Sequence, residues 1–288
     1  MKQIMKTTQL RNLTVGLLFL IAGTSMAQAQ ILRDKNAVKA LKRNMDLIYN
    51  ADFKQAHKLY DSISKTYPGS PVVFLLHGIL TYWENYPLLS TSPWHNSFEN
   101  DMHQSISLAE NNSNPEFASE NLLSNLCARG MLLTYYSANK QTMKVISLTT
   151  GTYGYIMNVF NTSYDYADLY YFSGIYNYYR EAYPEKHPVY KYVAFPLRHG
   201  NMELGIKELR IAAENSVFLE AESNAQIALI YTSMEHNYEQ ALYFSKLNYE
   251  KYPRNKAFKF SFLQNLLLAR HYDQAEVLMQ TVSKENLK

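Results

Sequence analysis

The chain has 288 residues, 47% of them hydrophobic, with a formal charge of +3 and one cysteine. A lone Cys127 excludes an intramolecular disulfide. The positive charge belongs to the first 29 residues: without Lys2, Lys6 and Arg11, 25 cations face 25 anions, so no net basic field argues for a nucleic-acid partner.

In chain order, residues 1–29 read as an export signal. Lys2, Lys6 and Arg11 precede an apolar run from Leu13 to Ala22, and Ala27-Gln28-Ala29 supplies the small residues of a cleavage site. That run has about ten residues, against the roughly 20 a helix needs to cross a bilayer. Cleavage is expected after Ala29, with Ala27 second. The mature form is expected to have no integral membrane span, and no cysteine follows the run to take a lipid. Residues 30–288 then form one helical repeat domain, expected in the periplasm or secreted.

Apolar residues recur at three- and four-residue steps, as at Leu41, Met45 and Ile48, or Phe98, Met102 and Ile106. No sustained period-two run points to strands. Helices are expected over 33–49, 52–66, 71–85, 98–112, 115–138, 140–160, 164–181, 202–214, 217–234, 238–251, 255–270 and 272–284. Prolines punctuate them: Pro71 and Pro115 open helices, while Pro68 and Pro253 close them. Cys127 sits in an apolar helical stretch and reads as a buried structural thiol.

One phrase recurs: an aromatic, two residues, then alanine, at the start of a helix. It reads Phe53-Lys54-Gln55-Ala56, Tyr238-Glu239-Gln240-Ala241 and Tyr272-Asp273-Gln274-Ala275. Pro68 and Pro253 follow the first two alanines by twelve residues, and the last two alanines are 34 apart. The phrase and its period resemble the tetratricopeptide repeat. The resemblance implies an all-α, right-handed superhelix of about twelve helices in six pairs. The aromatic would fill the wedge within a pair, and the alanine would mark the close crossing of its two helices. Repeats are clear over 37–68 and 222–284 and degenerate over 70–215. Arg43-Asn44 stands where the pattern prefers leucine-glycine, and Met202-Glu203-Leu204-Gly205 reads as a worn copy.

The resemblance implies a scaffold that holds a protein or peptide partner in a concave groove, with a role in cell-envelope assembly resting on analogy alone. The centre is dense in tyrosine: residues 135–192 hold 14 of the 25 tyrosines. Tyr164, Tyr171 and Tyr178 are spaced by seven along one helix face, and with Tyr190 and Arg198 they are the candidate partner-binding residues. Packing is the commoner role of such aromatics. Residues 183–200 carry three prolines and end in glycine, so they read as an irregular insertion that either packs back as a plug or binds. Trp94 reads as a staple on the following helix.

Two rivals remain. One is a glycan or small-molecule binder, with a pocket formed by the tyrosine-rich centre and the 183–200 loop. The other is an enzyme using His187, His199 and Arg198. Chemistry is otherwise sparse. No His-Glu-x-x-His, nucleophile elbow or phosphate loop occurs; Glu99 and His103 share a face without a third ligand. No metal, cofactor or catalytic residue is expected. His57, His77 and His271 read as ordinary repeat-surface residues, and Gly151 with Gly154 as a kink or close helix crossing.

Overall fold

A computed structural model describes residues 30–162 and 165–285. The proposed leader, its cleavage site and Tyr164 lie outside them. The described chain forms twelve helices of 13 to 21 residues, which we label α1 (Lys35–Tyr49), α2 (Phe53–Thr66), α3 (Pro71–Glu84), α4 (His95–Asn111), α5 (Ala118–Ala138), α6 (Thr142–Asn161), α7 (Leu169–Lys186), α8 (Met202–Asn215), α9 (Glu220–Ser233), α10 (Tyr238–Lys251), α11 (Lys256–Leu268) and α12 (Tyr272–Glu285). Each packs on the next in sequence, giving an all-α helical-repeat array.

Local chemistry sets the helix ends. Asp34 accepts hydrogen bonds from the amides of Asn36 and Ala37, Ser70 from Val72, Asn201 from Leu204, and Asn255 from Ala257 and Phe258. Pro71 occupies the first turn of α3, where its missing N–H costs nothing. Pro68 and Pro253 lie exposed in the turns after α2 and α10.

The turns reveal a period that the side chains conceal. Ala51, Lys140, His236 and Arg270 adopt φ of 53–63°, each two residues before the second helix of a pair. At Ala51, Lys140 and Arg270 the hydrogen bonds repeat as well, for example Asp52 N to Leu47 O, Gln141 N to Tyr136 O and His271 N to Leu266 O. The pair α5/α6 is therefore a repeat like the others, with Val145 standing where Ala56, Ala241 and Ala275 stand. Those three alanines are buried to within 1%.

The worn copy at 202–205 takes the pattern further. A Cβ placed on Gly205 would lie 2.7 Å from Tyr178 N and 2.8 Å from Gly174 O, and one on Gly174 would lie 2.9 Å from Gly205 O. Helices α7 and α8 cross with backbones in contact, closer than alanine allows. The departure at 43–44 also has a function in packing: Asn44 is fully buried and donates to the Ala56 carbonyl 2.8 Å away.

Several expectations need correction. Tyr272 fills no wedge; it is 61% exposed because α12 ends the described array without a later helix to cover it. Phe53, by contrast, is half-buried and packs against the core as expected of an apolar repeat residue, and Tyr238 is half-buried. Trp94 is 54% exposed, so it staples nothing closely. Gly154 has open space around it and Gly151 faces only the Arg129 guanidinium, so α6 runs through both without a close crossing. Helix α7 continues past 181 to Lys186 with Pro184 inside it. The proline there forgoes one bond in the last turn, where few bonds remain to lose.

The largest addition is closure. The first hairpin packs against α9–α11. Tyr49 lies 2% exposed, with its ring 5.1 Å from Tyr252 and 5.5 Å from Phe258, and 5.3 Å from Trp83 of α3. Its hydroxyl donates to Glu222 of α9. Around it, Tyr252 donates to Asp46 at 3.0 Å, Lys251 pairs with Asp46 at 3.4 Å, and Asn50 donates to Lys251 O at 3.3 Å. One hydrophobic cluster accordingly runs from Leu41 through Leu123 to Phe218, Tyr252 and Phe258. A second tie comes from Asp168, 1% exposed before α7, which accepts from the amides of Val217, Phe218 and Leu219 at 2.8–3.0 Å.

Adding one methyl at the α7/α8 crossing tests this packing. Gly205→Ala is expected to destabilise by about 1–3 kcal/mol through overpacking against backbone that cannot move aside. Thermal unfolding would show a lowered Tm; an unchanged Tm would contradict the crossing.

Candidate functional site

The tyrosine-rich centre is mostly packing. Tyr135, Tyr136 and Tyr178 are buried to 4% or less, and Tyr171 is half-buried. Residue by residue, the candidates separate. Tyr178 hydroxyl donates to Glu235. Tyr171 faces the interior, where burial first and Glu222 second hold its hydroxyl far above the ordinary range. Arg198 is exposed with its guanidinium 4.1 Å over the Phe160 ring, while its carbonyl accepts from Tyr176 at 2.6 Å. Tyr190 ends a single 3-10 turn, Pro188–Tyr190.

The groups of the enzyme reading each have their own neighbour. The His187 ring lies 4.7 Å from Tyr183, and His199 faces Glu181 at 3.7 Å. Glu99 and His103 meet at Tyr136, whose hydroxyl lies 2.9 Å from the carboxylate and 3.4 Å from the imidazole, and Lys144 pairs with Glu99 at 3.0 Å. His57, His77 and His271 bridge to Glu84, Asp101 and Glu239 at 2.9, 2.7 and 3.0 Å, tying repeat helices together. Among the described residues no three His, Cys, Asp or Glu side chains gather as metal ligands would.

The interior holds one unusual acid. Glu222 accepts from Tyr49 on one carboxyl oxygen, while Oε2 is sealed from solvent without a hydrogen-bond partner. Desolvation, aided by the nearby charges of Asp168 and Glu220, pushes its carboxyl up to about 7 against the lowering bond from Tyr49. Cys127 nearby is 4% exposed, and burial pushes its thiol well up, as suits the structural thiol expected.

Two larger open clefts lie along α8. A cleft of about 430 Å³ is lined by Tyr178, Met202, Glu203, Ile206, Lys207, Arg210, Tyr231 and Glu235. A second, of about 510 Å³, is lined by Arg210, Ala213, Glu214, Glu220, Asn224, Tyr243, Phe244, Leu247, Glu250 and Lys251. The two share Arg210. Their α8 members fall at 202, 203, 206, 207, 210, 213 and 214, the three- and four-residue steps of one helix face. Arg210 is held in place with its guanidinium 4.8 Å over the Phe244 ring. Tyr243 is 53% exposed and Leu247 36%. Sequence reading found Tyr178 here and missed Arg210, Tyr243 and Leu247. Their common signal is apolar or cationic side chains on the outward face of a helix that already has a buried face.

No family model, no curated protein and no solved structure matches this chain significantly.

Glu222 predicts a pH dependence. Its folded-state carboxyl titrates near 7, well above the unfolded value near 4.3. The unfolded chain loses this proton first, so stability falls as pH rises from the unfolded value to about 7 and levels off above, by on the order of 3 kcal/mol. Glu222→Gln removes that fall. Denaturant unfolding across pH should show its advantage growing toward neutral pH; parallel curves for both proteins would contradict it.

Proposed function

We propose that this chain is an exported, non-catalytic helical-repeat scaffold that holds an extended segment of a protein partner along α8. The observation that carries the reading is the pair of open clefts joined at Arg210. From Met202 to Glu214 the groove covers about 18 Å at 1.5 Å per helical residue. An extended chain advances about 3.3 Å per residue, so five or six residues fit.

The lining suits a polypeptide. Met202, Ile206, Tyr243 and Leu247 offer apolar and aromatic surface for side chains. Arg210 and Lys207 line the same walls as Glu203 and Glu214, giving donors and acceptors without a dominant sign. Lys251 is already engaged by Glu220 at 2.6 Å. The resemblance to the tetratricopeptide repeat supports peptide recognition; the leader-like residues 1–29 support the periplasm or the outside as the compartment. On this reading the partner lies in the groove beside α8 rather than in the trough that the resemblance implies.

The test is capture from cell envelopes on immobilised protein, read by mass spectrometry. A Tyr243→Ala, Leu247→Ala variant is expected to lose about tenfold in capture of the partner, as loss of an exposed aromatic anchor would cause, with Tm unchanged. Undiminished capture by that variant would overturn the groove assignment.

A further inference from the structure

The stretch between α7 and α8 projects a tip that the groove does not use. A single 3-10 turn, Pro188–Tyr190, runs into one helical turn, Lys191–Ala194. Val189, Tyr192 and Phe195 are 73%, 87% and 85% exposed. A spacing of three residues through such turns puts all three on one side. Of the two roles open to this stretch, the plug does not fit, since these side chains face solvent. Its base is fixed: Tyr176 donates to Arg198 O at 2.6 Å, Gly200 N to Glu181 at 2.8 Å, and Lys186 Nζ to Ser233 O at 3.1 Å. The tip is thus an apolar point on a pinned support.

From Lys186 to Gly200 the chain contains no acidic residue, while Lys191 and Arg198 are exposed cations flanking the apolar tip. The acids Glu181 and Glu185 lie behind it on α7, Glu181 already engaged by Gly200 and Arg180. We propose that this tip is a membrane-docking point for an anionic lipid surface. The aromatic and aliphatic side chains enter the headgroup boundary, and Lys191 with Arg198 meets the lipid phosphates.

Area and charge favour lipid over a protein partner. Large side chains bury about 150–250 Å² each, so the tip offers a few hundred Å², against about 800 Å² per partner in a stable protein interface. A shallow apolar insertion joined to basic charge is the two-signal combination that gives reversible membrane binding. Tyr and Phe at such a boundary keep their rings in the headgroup layer. No described helix is long and apolar enough to cross a membrane, and surface attachment requires none. This inference stands apart from the α8 groove and survives if the groove binds nothing.

The experiment is co-sedimentation of the full chain with vesicles of phosphatidylcholine, with and without phosphatidylglycerol. Binding is expected only with phosphatidylglycerol and should weaken with salt. Tyr192→Ser with Phe195→Ser should weaken it by about tenfold or more, and Lys191→Glu by about fivefold or more, with helical circular dichroism and Tm unchanged. Phe195→Trp on the otherwise intact chain should give a blue-shifted emission on adding the anionic vesicles. Absence of binding, equal binding to neutral vesicles, a serine variant that sediments like the parent, or an unshifted emission from the Phe195→Trp variant would each overturn the proposal.

Discussion

The packing of Tyr49 holds together parts of the chain about 170 to 210 residues apart. Its ring is enclosed by Trp83, Tyr252 and Phe258, and its hydroxyl meets Glu222. Burying one aromatic of this size contributes on the order of 2–3 kcal/mol, and the ion pairs around it at Asp46 and Arg254 are exposed enough to add little. Apolar burial therefore dominates closure, with the hydroxyl–carboxyl contact fixing its register. A repeat array normally contacts only nearest neighbours. This one also bonds its first hairpin to its fifth pair, so the two regions are expected to unfold together.

Closure explains where the open surface lies. The inward faces of α1, α3, α7 and α9 are occupied by Tyr49, Trp83, Tyr171 and Glu222, which pack or interact with one another. A concave surface sits between helices on the flank, along α8, and an apolar projection forms the tip at Tyr192 and Phe195. The tip and the cleft at Tyr178 and Met202 border the crossing of α7 and α8 through Gly174 and Gly205. That tight crossing sets α8 against α7 and leaves the connecting stretch to loop outward between them.

Much of the fold was legible in the sequence because repeats carry local signals. The phrases at 53–56, 238–241 and 272–275 mark helix starts, and Pro71 and Pro253 sit where boundaries fall. Ala56, Ala241 and Ala275 are buried, and their small volume is visible in a single letter. The middle was harder, since Gly205 and Val145 replace the alanine and the left-handed turn at Lys140 uses a residue with no turn preference. Tyrosine was ambiguous in kind: the same side chain is core at Tyr178 and exposed at Tyr272. Closure was not legible at all, because it depends on small rotations summed over many helix pairs. The α8 groove was hidden for a related reason, its walls being drawn from four helices across residues 178–251.

Closure through Tyr49 is tested most directly by a distance between the two regions it joins. Spin labels at Asn50→Cys and Lys251→Cys, on a Cys127→Ala background, report the separation across the seam in solution, where Asn50 donates to Lys251 O at 3.3 Å. A single short and narrow distance distribution, broadened when Tyr49→Ala is added, is the result this structure requires. A long or broad distribution in the parent chain, such as an open superhelix would give, would contradict it.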